Sequence, residues 1–239
     1  MRTAICFSGQ ARSLQYTYLN LKEYLINQIK NCDVFIYIAE DESYYNNKCF
    51  IDYLEPIEIC VKKDEYINDI GIKHQQRTGN VQEYLQMLTG WKKANQLRLE
   101  YEKKNNFIYD RVIRTRLDVK FFNPISNIDD YDLDYIYVPD FHSFACVQGK
   151  GQNDRFAISN SHNITVYSNM IDYIPQYVLE NHILHAESTL YYHLNKQNMK
   201  IRLCSIKFTR VRKYGEEVDL IIRKNSSAWP EIQRGYLGD

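Results

Sequence analysis

The chain predicts an α/β fold in which helices flank a mixed, mostly parallel sheet, and three stretches carry that prediction. The first 38 residues read as strand, glycine turn, helix and strand, a βαβ unit that implies parallel pairing across a crossover helix. Residues 81–102 place Tyr84, Met87, Leu88, Trp91, Ala94, Leu97 and Tyr101 on one helical stripe. Tyr109 to Phe122 holds the β-formers Val112, Ile113, Leu117 and Val119, and it ends in ionised groups.

Taken in order, Thr3–Phe7 is a short apolar strand, followed by the turn Ser8-Gly9-Gln10-Ala11-Arg12. Ser13 suits a helix N-cap, and Leu14, Tyr18, Leu21, Leu25 and Ile26 fall at helical spacing. Val34–Ile38 is a continuous apolar strand that stops at the acidic Glu40, Asp41 and Glu42. Ile57–Val61 reads as a third strand, and residues 64–80 as a polar, irregular connection. The stripe of residues 81–102 reads as core, and Asn105-Asn106 ends that helix. Pro124 to Asp134 is an acidic turn region before a strand at Tyr135–Val138. Phe141 to Asn153, with Gly149 and Gly151, is a candidate binding loop, and Asp154–Ser159 a strand entering the same site. Helical segments follow at Asn163–Tyr173 and Glu187–Leu194, then closing strands at Ile201–Cys204 and Phe208–Val211. The last fifteen residues, with Trp229-Pro230 and Gly235, read as a tail. There is no internal repeat or linker, so a single domain is expected.

With 30 basic and 30 acidic residues among 239, the formal charge is zero, which argues against a nucleic-acid partner. The basic run Lys207–Lys213 reads as a solvated edge strand that charge protects from pairing, with a peripheral membrane contact as the alternative. The 21 tyrosines suit carbohydrate or nucleotide surfaces but serve ordinary cores equally. No signal peptide or membrane-length apolar run is evident, so a cytoplasmic location is expected. The six cysteines, at 6, 32, 49, 60, 146 and 204, include no C-x-x-C pair and read as reduced side chains.

Period-two alternation puts Arg114, Arg116 and Asp118 on one strand face, spread over roughly 13 Å. An internal Arg–Asp ion pair is the plain reading of such a strand. A site carboxylate flanked by anion-binding arginines is the reading favoured here, because ligands of open α/β sheets sit beyond strand carboxyl ends. In the first turn, Gly9 lets a backbone approach a ligand, and Arg12 can grip a diphosphate. Asp118 suits Mg²⁺ or Mn²⁺ bound jointly with diphosphate oxygens. Glu187 reads either as a helix-dipole residue or as a general base, with Asp154 competing for the latter role. The chain has neither a G-x-G-x-x-G nor a G-x-x-x-x-G-K-[ST] loop, and no G-x-S-x-G elbow.

Phe7-Ser8-Gly9-Gln10-Ala11-Arg12, the strand Tyr109 to Asp118, Asp154–Ile158 and His185–Leu194 together resemble the GT-A-type glycosyltransferases of bacterial and large-virus polysaccharide assembly. The resemblance covers roughly residues 3–205. It implies a GT-A-like (Rossmann-type) domain with a nucleotide-binding half at 1–120, an acceptor-binding half at 121–210 and a tail at 211–239. It further implies sugar transfer from a nucleotide-diphosphate-sugar donor to a hydroxyl of a glycan acceptor. Ser8, Gly9, Gln10, Arg12, Arg114 and Arg116 would bind the donor, with Glu40 and Asp41 nearby. Asp118 would hold Mn²⁺ or Mg²⁺, and Glu187 or Asp154 would serve the acceptor side. GT-A enzymes commonly carry Asp-x-Asp where this chain has Arg116-x-Asp118, so an arginine stands at one metal-ligand position. A non-catalytic nucleotide- or glycan-binding module of the same fold, or a sugar nucleotidyltransferase, are the alternatives.

Overall fold

The computed structural model describes residues 1–67, 80–143, 150–181 and 184–218. Strand β1 (Thr3–Gly9) leads through helix α1 (Leu14–Tyr24) to β2 (Cys32–Ala39), and the short helices α2 (Glu42–Asn46) and α3 (Lys48–Tyr53) precede β3 (Glu58–Lys62). Helix α4 (Val81–Asn105) then feeds β4 (Arg111–Arg116), β5 (Val119–Phe121), β6 (Ile136–Pro139) and β7 (Phe156–Ser159). Helices α5 (Ser161–Ser168), α6 (Ile174–Asn181) and α7 (Ala186–Lys196) come next, followed by β8 (Ile201–Cys204) and β9 (Phe208–Arg210).

Seven strands form one sheet in the order β3-β2-β1-β4-β7-β6-β8. Strand β7 is antiparallel to both its neighbours, and every other adjacent pair is parallel. The predicted α/β fold, a mostly parallel mixed sheet with helices on it, is therefore present. Alternation along the strands explains why both faces are covered. Ile5 and Phe7 of β1 and Ile36 and Ile38 of β2 pack with Leu14 and Leu21 of α1. Ala4, Cys6, Phe35 and Tyr37 point the other way and pack with Leu88, Trp91 and Ala94 of α4. Strands buried on both faces read as continuous apolar runs.

Two departures from expectation matter. The stretch 109–122 is not one strand: β4 stops at Arg116, Leu117–Asp118 turns, and β5 pairs antiparallel with β9 in a separate two-stranded sheet. Tertiary hydrogen bonds force this break. Thr17 Oγ1 donates to the Leu117 carbonyl at 2.7 Å, and Asn20 of α1 brackets Phe121, accepting from its N–H at 2.6 Å and donating to its carbonyl at 2.9 Å. Helix α6, which begins at Ile174-Pro175, was also not expected; proline fits a first helical turn because no N–H is needed there. Ser13 does take the N-cap position of α1, but its hydroxyl makes no capping bond. Asn106 ends α4 in the left-handed conformation, as the Asn pair predicts. Most of the 64–80 connection, part of the Phe141–Asn153 loop, and the tail beyond residue 218 lie outside the described residues.

Helix α4 is tied to α5 through a buried cation. Fully buried Arg98 donates to Glu102 at 2.7 Å, to Asn95 at 2.6 Å, to Ser161 at 2.6 Å and to Thr165 at 2.8 Å. Glu102 in turn accepts the Tyr109 N–H at 2.9 Å, which sets the entry to β4. Removing one partner of a buried pair strands the other charge. Arg98→Ala is therefore expected to cost about 3–5 kcal/mol in urea denaturation. Lys92→Ala, which breaks the exposed Lys92–Asp172 pair, is expected to cost less than about 1 kcal/mol.

Candidate functional site

At the carboxyl ends of β1, β2 and β4 lies a cavity of about 400 Å³, within the range typical of small-molecule sites. The β1–α1 turn supplies Gly9, Gln10 and Arg12; β4 supplies Arg116; the segment before β7 supplies Asp154 and Arg155; α7 supplies Ala186 and Glu187. A recess of about 40 Å³ continues from it between Ser8, Gly9, Gln10, Arg12, Arg116, Leu117 and Asp118. The sequence-predicted residues Ser8, Gly9, Gln10, Arg12, Arg116, Asp118, Asp154 and Glu187 thus meet around one connected space.

Gly9 has φ +139°, a conformation L side chains rarely adopt, and an added Cβ would meet nothing within 4 Å. The turn is therefore open over the recess for a backbone reason. Gly90 of α4 has a different role. A Cβ there would stand 3.4 Å from that of Ser8, so α4 packs closely against the end of β1.

The plain reading of Arg116 and Asp118, an ion pair, is present, and the pair lines the recess. Arg116 Nε donates to Asp118 Oδ1 at 2.6 Å and Nη2 to Oδ2 at 2.8 Å, a bidentate pair on the rim of the recess. Burial pushes the Asp118 carboxyl up, but Arg116, Arg210 and Arg12 outweigh it and hold the carboxyl at about 2. The Asp118 backbone is fixed too, since its carbonyl accepts from Val211 N–H at 2.8 Å.

Arg114 departs from expectation. It does not line the cavity but is 1 % exposed, with its guanidinium 3.7 Å from the Trp91 ring centroid. Its Nη1 donates to the Asp154 carbonyl, and burial lowers it to about 10. Arg114 supports Asp154 from beneath and contacts no ligand space. Glu40 and Asp41 are also absent from the lining. Asp41 caps α2, accepting from Tyr44 N–H at 3.1 Å, and Glu40 accepts from the Tyr45 hydroxyl. Ala39 and Asp64 line the cavity on that side.

Sequence reading missed several contributors. The basic run Lys207–Lys213 is not merely a solvated edge, because Arg210 and Arg212 line the cavity. Pairing of Phe208–Arg210 with Val119–Phe121 brings them there. Tyr84, Met87 and Gly90, assigned to a core stripe or to no role, line it from the first turns of α4, and Arg155 lines it beside Asp154. The alternating Arg210-Val211-Arg212 was the available signal, since period two puts both arginines on one side of an extended segment.

The charges are segregated. Burial lowers the proton affinity of Arg212, and so do Arg210, Arg12 and Arg116, with Asp118 opposing them. The four arginines form a basic wall, with Asp118 set among them. Asp154 and Glu187 form an acidic pocket with Arg155, and Arg210 acts on Glu187 as well as on Asp118. Burial first, then Asp154, push the Glu187 carboxyl up to about 8, against Arg155 and Arg210. His185 Nε2 lies 3.4 Å from Glu187 Oε2, and Arg155 is set by its own N–H donating to Asn153 Oδ1 at 2.9 Å.

The residues present do not fit a divalent cation at Asp118. Both its oxygens are taken by one guanidinium, the neighbouring charges are arginines, and among the described residues no three His, Cys, Asp or Glu side chains are placed to hold a metal. No helix among those residues is long and apolar enough to cross a membrane.

Asp118 binds its proton more weakly in the folded chain, at about 2, than at the ordinary 3.8. Its stabilisation is therefore present above about 4 and lost as pH falls toward 2. Asp118→Ala is expected to lower stability at pH 7 by roughly 2–4 kcal/mol. It should also flatten the acid limb of a denaturation midpoint series between pH 5 and pH 2.

No curated protein matches the chain. The family model described as Domain of unknown function (DUF7796) matches residues 1–215, most of the chain's length. The chain belongs to that family.

Proposed function

We propose that the chain is a nucleotide-sugar-dependent glycosyltransferase of GT-A type. It would move a sugar from a nucleotide-diphosphate-sugar donor to a hydroxyl of a glycan acceptor. One observation carries the reading: a basic wall and a buried acidic pair line the same cavity beyond the strand ends of a mostly parallel sheet. Sugar transfer from such a donor asks for those two features. Its donor carries a dianionic diphosphate that gains a further negative charge as it departs, and its nucleophile is a hydroxyl that must lose a proton.

In the proposed step, the acceptor oxygen attacks the anomeric carbon and the bond from that carbon to the diphosphate oxygen breaks. The bond's electron pair leaves with the diphosphate, toward Arg12, Arg116, Arg210 and Arg212. The acceptor proton passes to the Glu187 carboxylate. Asp154, whose carbonyl is held by Arg114, raises the proton affinity of Glu187 and stands where it can orient the acceptor. Tyr84, buried beside Thr189 and these two acids, closes the pocket on the α4 side. The sheet architecture agrees with the GT-A-like reading. The lining of the recess by Ser8, Gly9, Gln10 and Arg12 supports a donor-binding role for that turn.

Nucleoside diphosphate release from a panel of sugar donors, with and without glycan acceptors, tests the activity; a pure binding module releases none. Because burial and Asp154 push the Glu187 carboxyl up to about 8, kcat/KM is expected to rise with pH through the neutral range and then level off. Glu187→Gln is expected to lower kcat by about 100-fold or more and to abolish that rise. A pH-independent kcat/KM across pH 6–9 would remove Glu187 from the base role. The stability linkage has a matching sign. The raised carboxyl stabilises the fold at low pH, and that contribution is lost as pH climbs from about 4.5 through about 8. Glu187→Gln is therefore expected to gain relative thermal stability at pH 9.

A further inference from the structure

One side of the cavity has the charge pattern of an anion site, while the acids Asp64, Glu83, Asp154 and Glu187 also line the space. Arg12 comes from the β1–α1 turn, Arg116 from the end of β4, and Arg210 and Arg212 from the β9 segment, and all four line it. Like charges brought together in a partly desolvated space repel, and a fold retains such an arrangement where an anion relieves it. Asp118 supplies one negative charge, and both its oxygens are held by Arg116. A divalent cation beside Asp118 would enter against four guanidiniums and find that carboxylate engaged by Arg116, whereas Mg²⁺ held with substrate phosphates uses one or two carboxylates as ligands. The arginine fork, by contrast, is always charged and matches phosphate oxygens two at a time.

We propose that Arg12, Arg116, Arg210 and Arg212 hold the donor diphosphate without a divalent metal, with Asp118 as the counter-anion that orients Arg116. This rests on the glycosyltransferase reading and fixes how that site handles its leaving group. The guanidiniums are in place before the reaction, anchored by the Asp118–Val211 hydrogen bond and by the β5–β9 pairing. They meet the charge that develops on the departing diphosphate with little rearrangement. Asp118 is then a positioning residue, since it acts on the ligand through Arg116. The Arg116 that replaces the first acid of an Asp-x-Asp is thus itself the source of positive charge.

Titration calorimetry of the whole chain with UDP, GDP and inorganic pyrophosphate, in EDTA and then in Mn²⁺, tests this. Affinity for at least one diphosphate is expected in EDTA, within about threefold of that in Mn²⁺. Arg210→Gln and Arg212→Gln are each expected to weaken it by about tenfold, as loss of a charge-assisted contact does. Binding in EDTA should also fall steeply with salt. Asp118→Asn keeps one oxygen acceptor to orient Arg116 while removing an anion, and is expected to change diphosphate affinity by less than about threefold in EDTA and in Mn²⁺ alike. A metal ligand's loss would weaken binding in Mn²⁺ and leave binding in EDTA unchanged. If Asp118→Asn does not fold, Arg212→Gln decides alone, because its side chain is only partly buried. Binding seen only with Mn²⁺ overturns the metal-free cradle and leaves the transferase reading intact. Binding in EDTA without sugar transfer from any donor keeps the cradle and removes the transferase. No diphosphate binding in either buffer overturns both.

Discussion

Positive charge gathered at one end of a mostly parallel sheet is the constraint on which the rest of the site depends. Arg12, Arg116, Arg210 and Arg212 repel one another, and Asp118 opposes that repulsion. That carboxylate does so only because its backbone is fixed. The Leu117 carbonyl accepts from Thr17, the Asp118 carbonyl accepts from Val211, and Asn20 grips Phe121 just beyond. A turn placed between two sheets, with helix α1 on one side and β9 on the other, leaves the carboxylate little freedom to move. The hydrogen bonds that break the strand after Arg116 are the ones that make the pair possible.

A second tier of cations lies deeper and never reaches the cavity. Arg98 and Arg114 are buried beneath it, one surrounded by oxygen acceptors and the other stacked on Trp91. Both serve the site at a distance. Arg98 fixes the approach to β4 through Glu102 and Tyr109, and Arg114 holds the Asp154 carbonyl. Helix α4 therefore has two functions along its length. Its first turns, with Tyr84, Met87 and Gly90, face the cavity, while Trp91 onward packs into the core.

Much of the fold was legible because it is local. Apolar alternation in Thr3–Phe7 and Val34–Ile38, the glycine turn, and the stripe of residues 81–102 each state their element within a few residues. Asn106 marks a helix end by its tolerance of the left-handed region. The cluster of Ser8–Arg12, Arg116, Asp118, Asp154 and Glu187 was legible too, because strand carboxyl ends gather in an open α/β sheet. What was not legible is set by partners far along the chain. Period two placed Arg114 with Arg116, yet did not show that Trp91 would cover one and leave the other at the rim. Arg210 and Arg212 resembled edge protection until the β5–β9 pairing turned them inward. Glu40 and Asp41 had the composition of a ligand-binding end but serve α2 instead.

The small β5–β9 sheet also bears on how the chain acquires its binding surface. The parallel core through β4 closes mainly by neighbouring segments, but Val119–Phe121 must wait for Phe208–Arg210, which emerges far later in synthesis. Closing so long a loop is entropically slow relative to local pairing. A nascent chain whose β1–β4 core has formed thus lacks Arg210 and Arg212, two of the four cavity arginines, until residues 208–212 dock. The basic side of the cavity is therefore completed later than the parallel core it stands on.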